Sequence, residues 1–135
     1  MRTQYVPPEY TAQTWPRVEK FIEAAIEYGH GDYTIEQIRM FVCMGQWLLV
    51  VAVDDNNEVH GAATVSFINM PNDRVAYITS IGGRLVANEK TFEELCEILK
   101  GRGATKIQGL GRPAIVRLWR RFGFEPISTL VEFKL

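Results

Sequence analysis

Residues 47–81 read WLLVVAVDDNNEVHGAATVSFINMPNDRVAYITSI, and the fold turns on them. Residues 47–53 are apolar throughout and rich in β-branched valine, a run of strand length rather than helix length. The Asp54-Asp55-Asn56-Asn57 run that follows tolerates the left-handed conformation of tight turns. Residues 59–67 are therefore expected back as the other arm of a hairpin. A second turn over residues 70–73 returns residues 75–81 as a third antiparallel strand. The centre of the chain reads as a β-meander.

Helical spacing dominates on both sides of it. Ahead of the meander, residues 5–8 suit a short strand ended by Pro7-Pro8, because proline donates nothing to a ladder. Thr14 reads as an N-cap with Pro16 in the first turn, and Val18, Phe21, Ile22, Ala25 and Ile26 repeat at helical spacing up to Gly29. Thr34 and Gln37 form a capping box for a second helix with Ile35, Ile38, Phe41 and Val42 inward. Beyond Gly82-Gly83, Thr91 and Glu94 read as another capping box, opening a helix with the stripe Phe92, Leu95, Cys96 and Leu99 that ends at Gly101-Arg-Gly103. Residues 105–108 suit a short strand. Pro113 suits the first position of a last helix with Ile115, Leu118, Trp119 and Phe122 on one side, and residues 125–135 are expected to close the sheet as a final strand. The order β-α-α-β-β-β-α-β-α-β predicts one α+β domain over residues 1–135. An antiparallel meander leads into a β-α-β-α-β unit, in a mixed sheet flanked by helices, whose crossover makes one strand pair parallel.

Composition bounds what such a domain can do. Of 135 residues, 47% are hydrophobic and 23% charged, which is ordinary globular composition and excludes a disordered chain. The longest apolar run is far short of the roughly 20 residues of a membrane span, and no basic-then-apolar leader opens the sequence, so no membrane partner is expected. Cys43 and Cys96 fall on helical stripes, which excludes a disulfide framework. With His30 and His60 far apart in sequence, no metal site is expected either.

The net charge of −1 conceals an asymmetry. Residues 1–70 hold four bases against nine acids, and residues 71–135 eleven against seven. Residues 98–124 carry Lys100, Arg102, Lys106, Arg112, Arg117, Arg120 and Arg121 with no acid at all. The chain is a charge dipole in sequence, a layout that favours oriented contacts with a partner.

The element order, together with the run Leu118-Trp-Arg-Arg-Phe-Gly-Phe-Glu125, resembles the C-terminal half of the GNAT (acetyl-CoA-dependent N-acetyltransferase) superfamily, in which a helix ending in Leu-Tyr-x-x-x-Gly-Phe precedes the last strands. It resembles short GNAT-like proteins of phages and prophages more closely. The likeness there rests on Trp15-x-x-Val-Glu19 leading to Gly31-x-Tyr-Thr34, on Gly82-Gly83 after the meander, and on Gly111-Arg112 ahead of the last helix. The resemblance implies a GNAT fold, an acetyl-CoA cofactor and an amine acceptor. For the phage-type relatives it implies a place in the host cytoplasm or in a virion.

Three of the positions that the resemblance makes important are changed. Residues 82–91 lack the Gln/Arg-x-x-Gly-x-Gly/Ala loop that cradles the cofactor pyrophosphate, and the helix after them carries Glu93, Glu94 and Glu97 near the pole where phosphate would sit. Trp119 stands where the family's general-acid tyrosine belongs, and an indole N–H releases no proton near neutral pH. Arg112 stands where many members have an asparagine. The reading that follows is a GNAT-fold protein with a degenerate acetyl-CoA site, a non-catalytic virion, assembly or docking component. The alternative is an active N-acetyltransferase on a small or protein amine.

Candidate residues sort accordingly. For acid/base work His30, Asp32, Tyr33, Glu58, His60 and Tyr77 are available, with His60 and Tyr77 on meander strands where alternation can turn one of them into a cleft. If acetyl-CoA binds, Gly82, Gly83 and Arg84 form an amide nest with a cation, and Arg112 and Arg117 meet phosphates. Glu27, Asp32, Glu36 or Glu58 would neutralise a cationic acceptor. Arg117, Arg120 and Arg121 share one side of the last helix, which fits a protein partner, self-association or, with less support, a nucleic-acid backbone.

Overall fold

The computed structural model describes all 135 residues. It places the meander as β2 (Leu48–Val53), β3 (Val59–Asn69) and β4 (Arg74–Gly83), paired antiparallel in turn. At the two edges, β1 (Arg2–Val6) joins β2 antiparallel and β5 (Lys106–Gly109) joins β4 parallel, giving the order β1-β2-β3-β4-β5. Helices α1 (Thr11–Ile26), α2 (Ile35–Cys43), α3 (Glu89–Lys100) and α4 (Pro113–Arg120) flank this mixed sheet. No helix is long and apolar enough to cross a membrane.

The unbroken apolar run of β2 has a direct cause. All six of its residues are buried, because both faces of the strand are covered. Leu49, Val51 and Val53 join Val18 and Ile22 of α1 and Ile38 and Val42 of α2 in one core. Leu48, Val50 and Ala52 join Leu95 and Leu99 of α3 in the other. Alternation along β2 thus sorts the helices into two layers.

Four local expectations are corrected. β1 ends at Val6, ahead of Pro7-Pro8, rather than spanning residues 5–8. Thr14 is not an N-cap: a 3-10 turn over Pro8–Tyr10 runs straight into α1, leaving Pro16 inside the helix, and the Thr14 hydroxyl donates back to the Tyr10 carbonyl at 2.8 Å. The box on α3 is Asn88 with Thr91 rather than Thr91 with Glu94. Asn88 can take the extended backbone of a cap, while Glu94 is drawn toward β1, where its carboxylate accepts from the Thr3 amide at 3.3 Å. Residues 125–135 form no strand, and Ile127, Leu130, Val131, Phe133 and Leu135 stand in solvent. The Thr34–Gln37 box and Pro113 at the first turn of α4 are as the residues predict.

Candidate functional site

β4 and β5 pair only where residues 75–78 meet residues 106–109. Past Gly109 the chain leaves for α4 while β4 runs on to Gly83, so the β5 side of residues 79–83 stays open. A local cause reinforces the splay. The β3–β4 register slips between Thr64 and Val65, which makes Thr79 the extra residue of a β-bulge, and a bulge bends and twists its strand. The Thr79 hydroxyl donates to the Thr64 carbonyl at 3.0 Å, and Thr64 shares hydrogen bonds with the hydroxyls of Thr79 and Ser80, so this buried polar cluster is satisfied internally.

The opening is a cleft of about 390 Å³. Its floor is residues 77–83 of β4. One wall is the end of α1 and the turn after it, including Tyr28, His30, Asp32 and Tyr33, and the other is Leu110, Gly111, Arg112, Ile115 and Trp119. Arg112 bridges the walls, its guanidinium lying 3.9 Å from the Tyr28 ring centroid. Tyr33 is held edge-on to Trp47 at 4.9 Å, and Trp47 stacks on Phe41 at 4.6 Å. Trp119 is buried against a glycine seat: a Cβ on Gly109 would lie 3.3 Å from the indole. Burial pushes the Tyr77 phenol above its ordinary value of 10.0, and Tyr33 and Asp32 push it further. Tyr77 therefore keeps its proton at neutral pH, which leaves its hydroxyl a hydrogen-bond donor rather than a base.

Of the residues singled out from sequence, Tyr77, Gly82, Gly83, Arg112, His30, Asp32 and Tyr33 all line this cleft. Glycine at 82 answers a packing need, since a Cβ there would come 2.1 Å from the Phe21 carbonyl oxygen of α1. His60 lies outside the cleft. It occupies a second bulge, opposite β2, with Nε2 2.7 Å from Asp54 Oδ2. The Asp54 carboxylate also accepts from the amides of Asn56 and Glu58, and the His60 bond first, then the Glu58 amide, hold its pKa below the usual 3.8. One ligand atom each from Asp54, Glu58 and His60 falls within 4.8 Å of the others, a juxtaposition on the hairpin turn that spacing did not predict. Arg84 is exposed beside the cleft, with its amide donating to the His60 carbonyl at 2.8 Å. Arg117, Arg120 and Arg121 are exposed, and none makes an ion pair. Glu27, Glu36 and Glu58 do not line the cleft.

The start of α3 is closed on itself. Thr91 Oγ1 accepts from the amides of Ala87 and Asn88, each at 3.2 Å, and Asn88 Oδ1 accepts from the Thr91 amide at 3.0 Å. Three of the amides around this helix start, those of Ala87, Asn88 and Thr91, are thus bonded to its own side chains. The bulge at Thr79 and this Asn88 cap escaped the sequence reading. Asn88 is a favoured N-cap type and was a readable signal, outweighed by the competing Thr91 and Glu94 pair, whereas a bulge is visible only once two strands are paired.

Among solved structures, this chain is similar over its whole length to a probable acetyltransferase (TM-score 0.69, 15% identity, 100% of this chain and 97% of that one). It is also similar to an aminoglycoside acetyltransferase from an uncultured soil metagenomic sample, in complex with sisomicin (TM-score 0.71, 12% identity, 99% and 94%), and to a Trypanosoma brucei acetyltransferase (TM-score 0.62, 10% identity, 99% of each). No family model matches the chain, and no curated protein does. At these identities the likeness establishes the fold, which is that of the GNAT-type acetyltransferases.

Proposed function

We propose that this GNAT-fold chain is a phage-encoded docking protein whose cleft does not use acetyl-CoA, acting in a virion or an assembly intermediate. The self-capped start of α3 carries the reading. To hold a pyrophosphate there, the amides of Ala87, Asn88 and Thr91 would have to give up Thr91 Oγ1 and Asn88 Oδ1, with Glu89 and Glu93 adding like charge at the same pole. Trp119, on the cleft wall, has no proton to give near neutrality. These residues do not fit acetyl-CoA. The resemblance to phage and prophage proteins supplies the setting, and the exposed face of Arg117, Arg120 and Arg121 supplies a surface for an acidic protein partner.

Thermal unfolding with acetyl-CoA tests this. No shift is expected at millimolar cofactor. Ligand at a hundred times its dissociation constant adds about 2.7 kcal/mol, on the order of 10 °C for a domain of this size, so such a shift, or thiol release over a panel of amines, overturns the reading. Absence of the protein from purified particles and from assembly intermediates removes the virion assignment.

A second reading, an N-acyltransferase on a small or protein amine, is favoured by one observation. Asp32 beside the rings of Tyr33 and Tyr77 suits a cationic acceptor, and a similar aminoglycoside acetyltransferase is in complex with sisomicin. Gly82, Gly83, Arg84, Arg112 and Arg117 would then meet acetyl-CoA.

A further inference from the structure

Residues 127–135, Ile-Ser-Thr-Leu-Val-Glu-Phe-Lys-Leu, alternate as a strand does. Ile127, Thr129, Val131, Phe133 and Leu135 fall on one face, and Ser128, Leu130, Glu132 and Lys134 on the other. No backbone amide or carbonyl of residues 125–135 bonds to the body of the chain. Ile127 is 76% exposed, Val131 84% and Phe133 86%. The segment nevertheless has a fixed origin. The Phe124 amide donates to the Trp119 carbonyl, and its ring packs 5.6 Å from Trp119 and 5.7 Å from Phe92 of α3.

The same chain carries the complement of this segment. β5 bonds to β4 along one side only and is the open edge of the sheet. Only Trp119 of α4 is buried, while Leu118 on that helix and Leu110 next to β5 stand 39% and 48% exposed. An amphipathic helix with its apolar side half uncovered, next to an unpaired strand edge, lacks one layer. An extended amphipathic strand with no ladder is the layer it lacks.

We propose that residues 127–135 add as a strand to the open β5 edge of a second copy of this chain, each copy giving its segment to the other in a closed two-fold dimer. The area is sufficient. At on the order of 100 Å² for each of Ile127, Val131, Phe133 and Leu135 on the covered face, two exchanged segments remove roughly 800 Å², and the like area they cover on their hosts brings the total to roughly 1,600 Å², within the roughly 1,200–2,000 Å² of stable interfaces. Reciprocity closes the assembly, so no edge is left to propagate a fibre. The exchange is independent of whether the cleft takes acetyl-CoA, so failure of either proposal leaves the other standing.

Light scattering on the full chain tests the assembly, and a dimer of 15.4 kDa chains is expected. Thr129→Pro with Val131→Pro, which removes two ladder donors from a segment with no hydrogen bond to its own copy, should weaken dimerisation roughly a hundredfold or more while far-UV circular dichroism is unchanged. In a dimer mixed from isotope-labelled and unlabelled chains, contacts between residues 127–135 and residues 106–109 should be intermolecular. A strict monomer, a dimer indifferent to the prolines, or contacts found only within one copy would each overturn the proposal, the last by putting the strand on its own β5.

Discussion

The two sides of the sheet make unequal use of similar apolar patterns. On the β1–β3 side, β2 is sealed between α1, α2 and α3, and Val18, Ile22, Ile38 and Val50 have no exposed surface. On the β5 side, α4 buries only Trp119, and the alternating segment after it buries none of its large apolar residues. Hydrophobic patterning marks which face wants cover, but cover requires a second surface within reach. The first side finds it within the chain. The second is where the cleft opens and where partners are expected to bind.

The sharpest way to break this contrast is to delete bulk on each side. Ile22→Ala should cost about 4 kcal/mol in urea unfolding at any protein concentration, because it leaves a hole in a closed core. Ile127→Ala should leave the stability of the monomer within about 0.5 kcal/mol and alter association instead. Equal losses would refute the contrast. Next in size is Gly82→Ala, where the new methyl meets the Phe21 carbonyl oxygen and α1 must move off β4; about 3 kcal/mol is expected, read as a lowered denaturation midpoint.

Thr91→Ala sharpens the comparison at the capped end of α3. It unpairs the Ala87 and Asn88 amides at a fully buried position, with an expected loss of about 1–2 kcal/mol by thermal melts. The freed amides should also raise affinity for inorganic phosphate above that of the parent chain, measured by calorimetry. The smallest effect is with acid. Asp54, bonded by His60, and Asp73, bonded by Lys106, both lie below the ordinary 3.8, so the folded state holds their protons less tightly than the unfolded one. Their contribution is present above about pH 4 and lost as pH falls through the folded values. Asp54→Asn and Asp73→Asn should each flatten the acid limb of a stability-versus-pH curve, and an unchanged limb would dismiss these bonds as contributors.

Much of this was legible in the residues. Turn chemistry at residues 54–57 and the valine run before it led to the right hairpin, and Asn57 does adopt a positive φ of 61°. Thr14 misled because a threonine two residues before a proline resembles a helix start, whereas here its hydroxyl bonds back into a turn already formed. His60 and Tyr77 looked alike as strand residues facing a cleft, and only pairing told them apart. The bulge beside His60 turns it to Asp54, and the bulge at Thr79 opens the sheet next to Tyr77. Residues 125–135 have the pattern of a strand and no ladder, because pattern marks what a segment can pair with and not whether a mate is present.

By itself the sequence determined most of the element types, the meander and the split of charge between the halves. Each follows from periodicity, composition or turn chemistry, which act over a few residues, while the lack of a pyrophosphate loop in residues 82–91 is legible only beside the GNAT pattern that the chain resembles. The tertiary structure decided where the cleft opens, which aromatic rings and charges share it, that the Ala87, Asn88 and Thr91 amides around the start of α3 are already bonded, and that the last strand-like segment stands alone. Those depend on register and on what lies across space, which hydrogen-bond pairing between distant residues sets and no local pattern encodes.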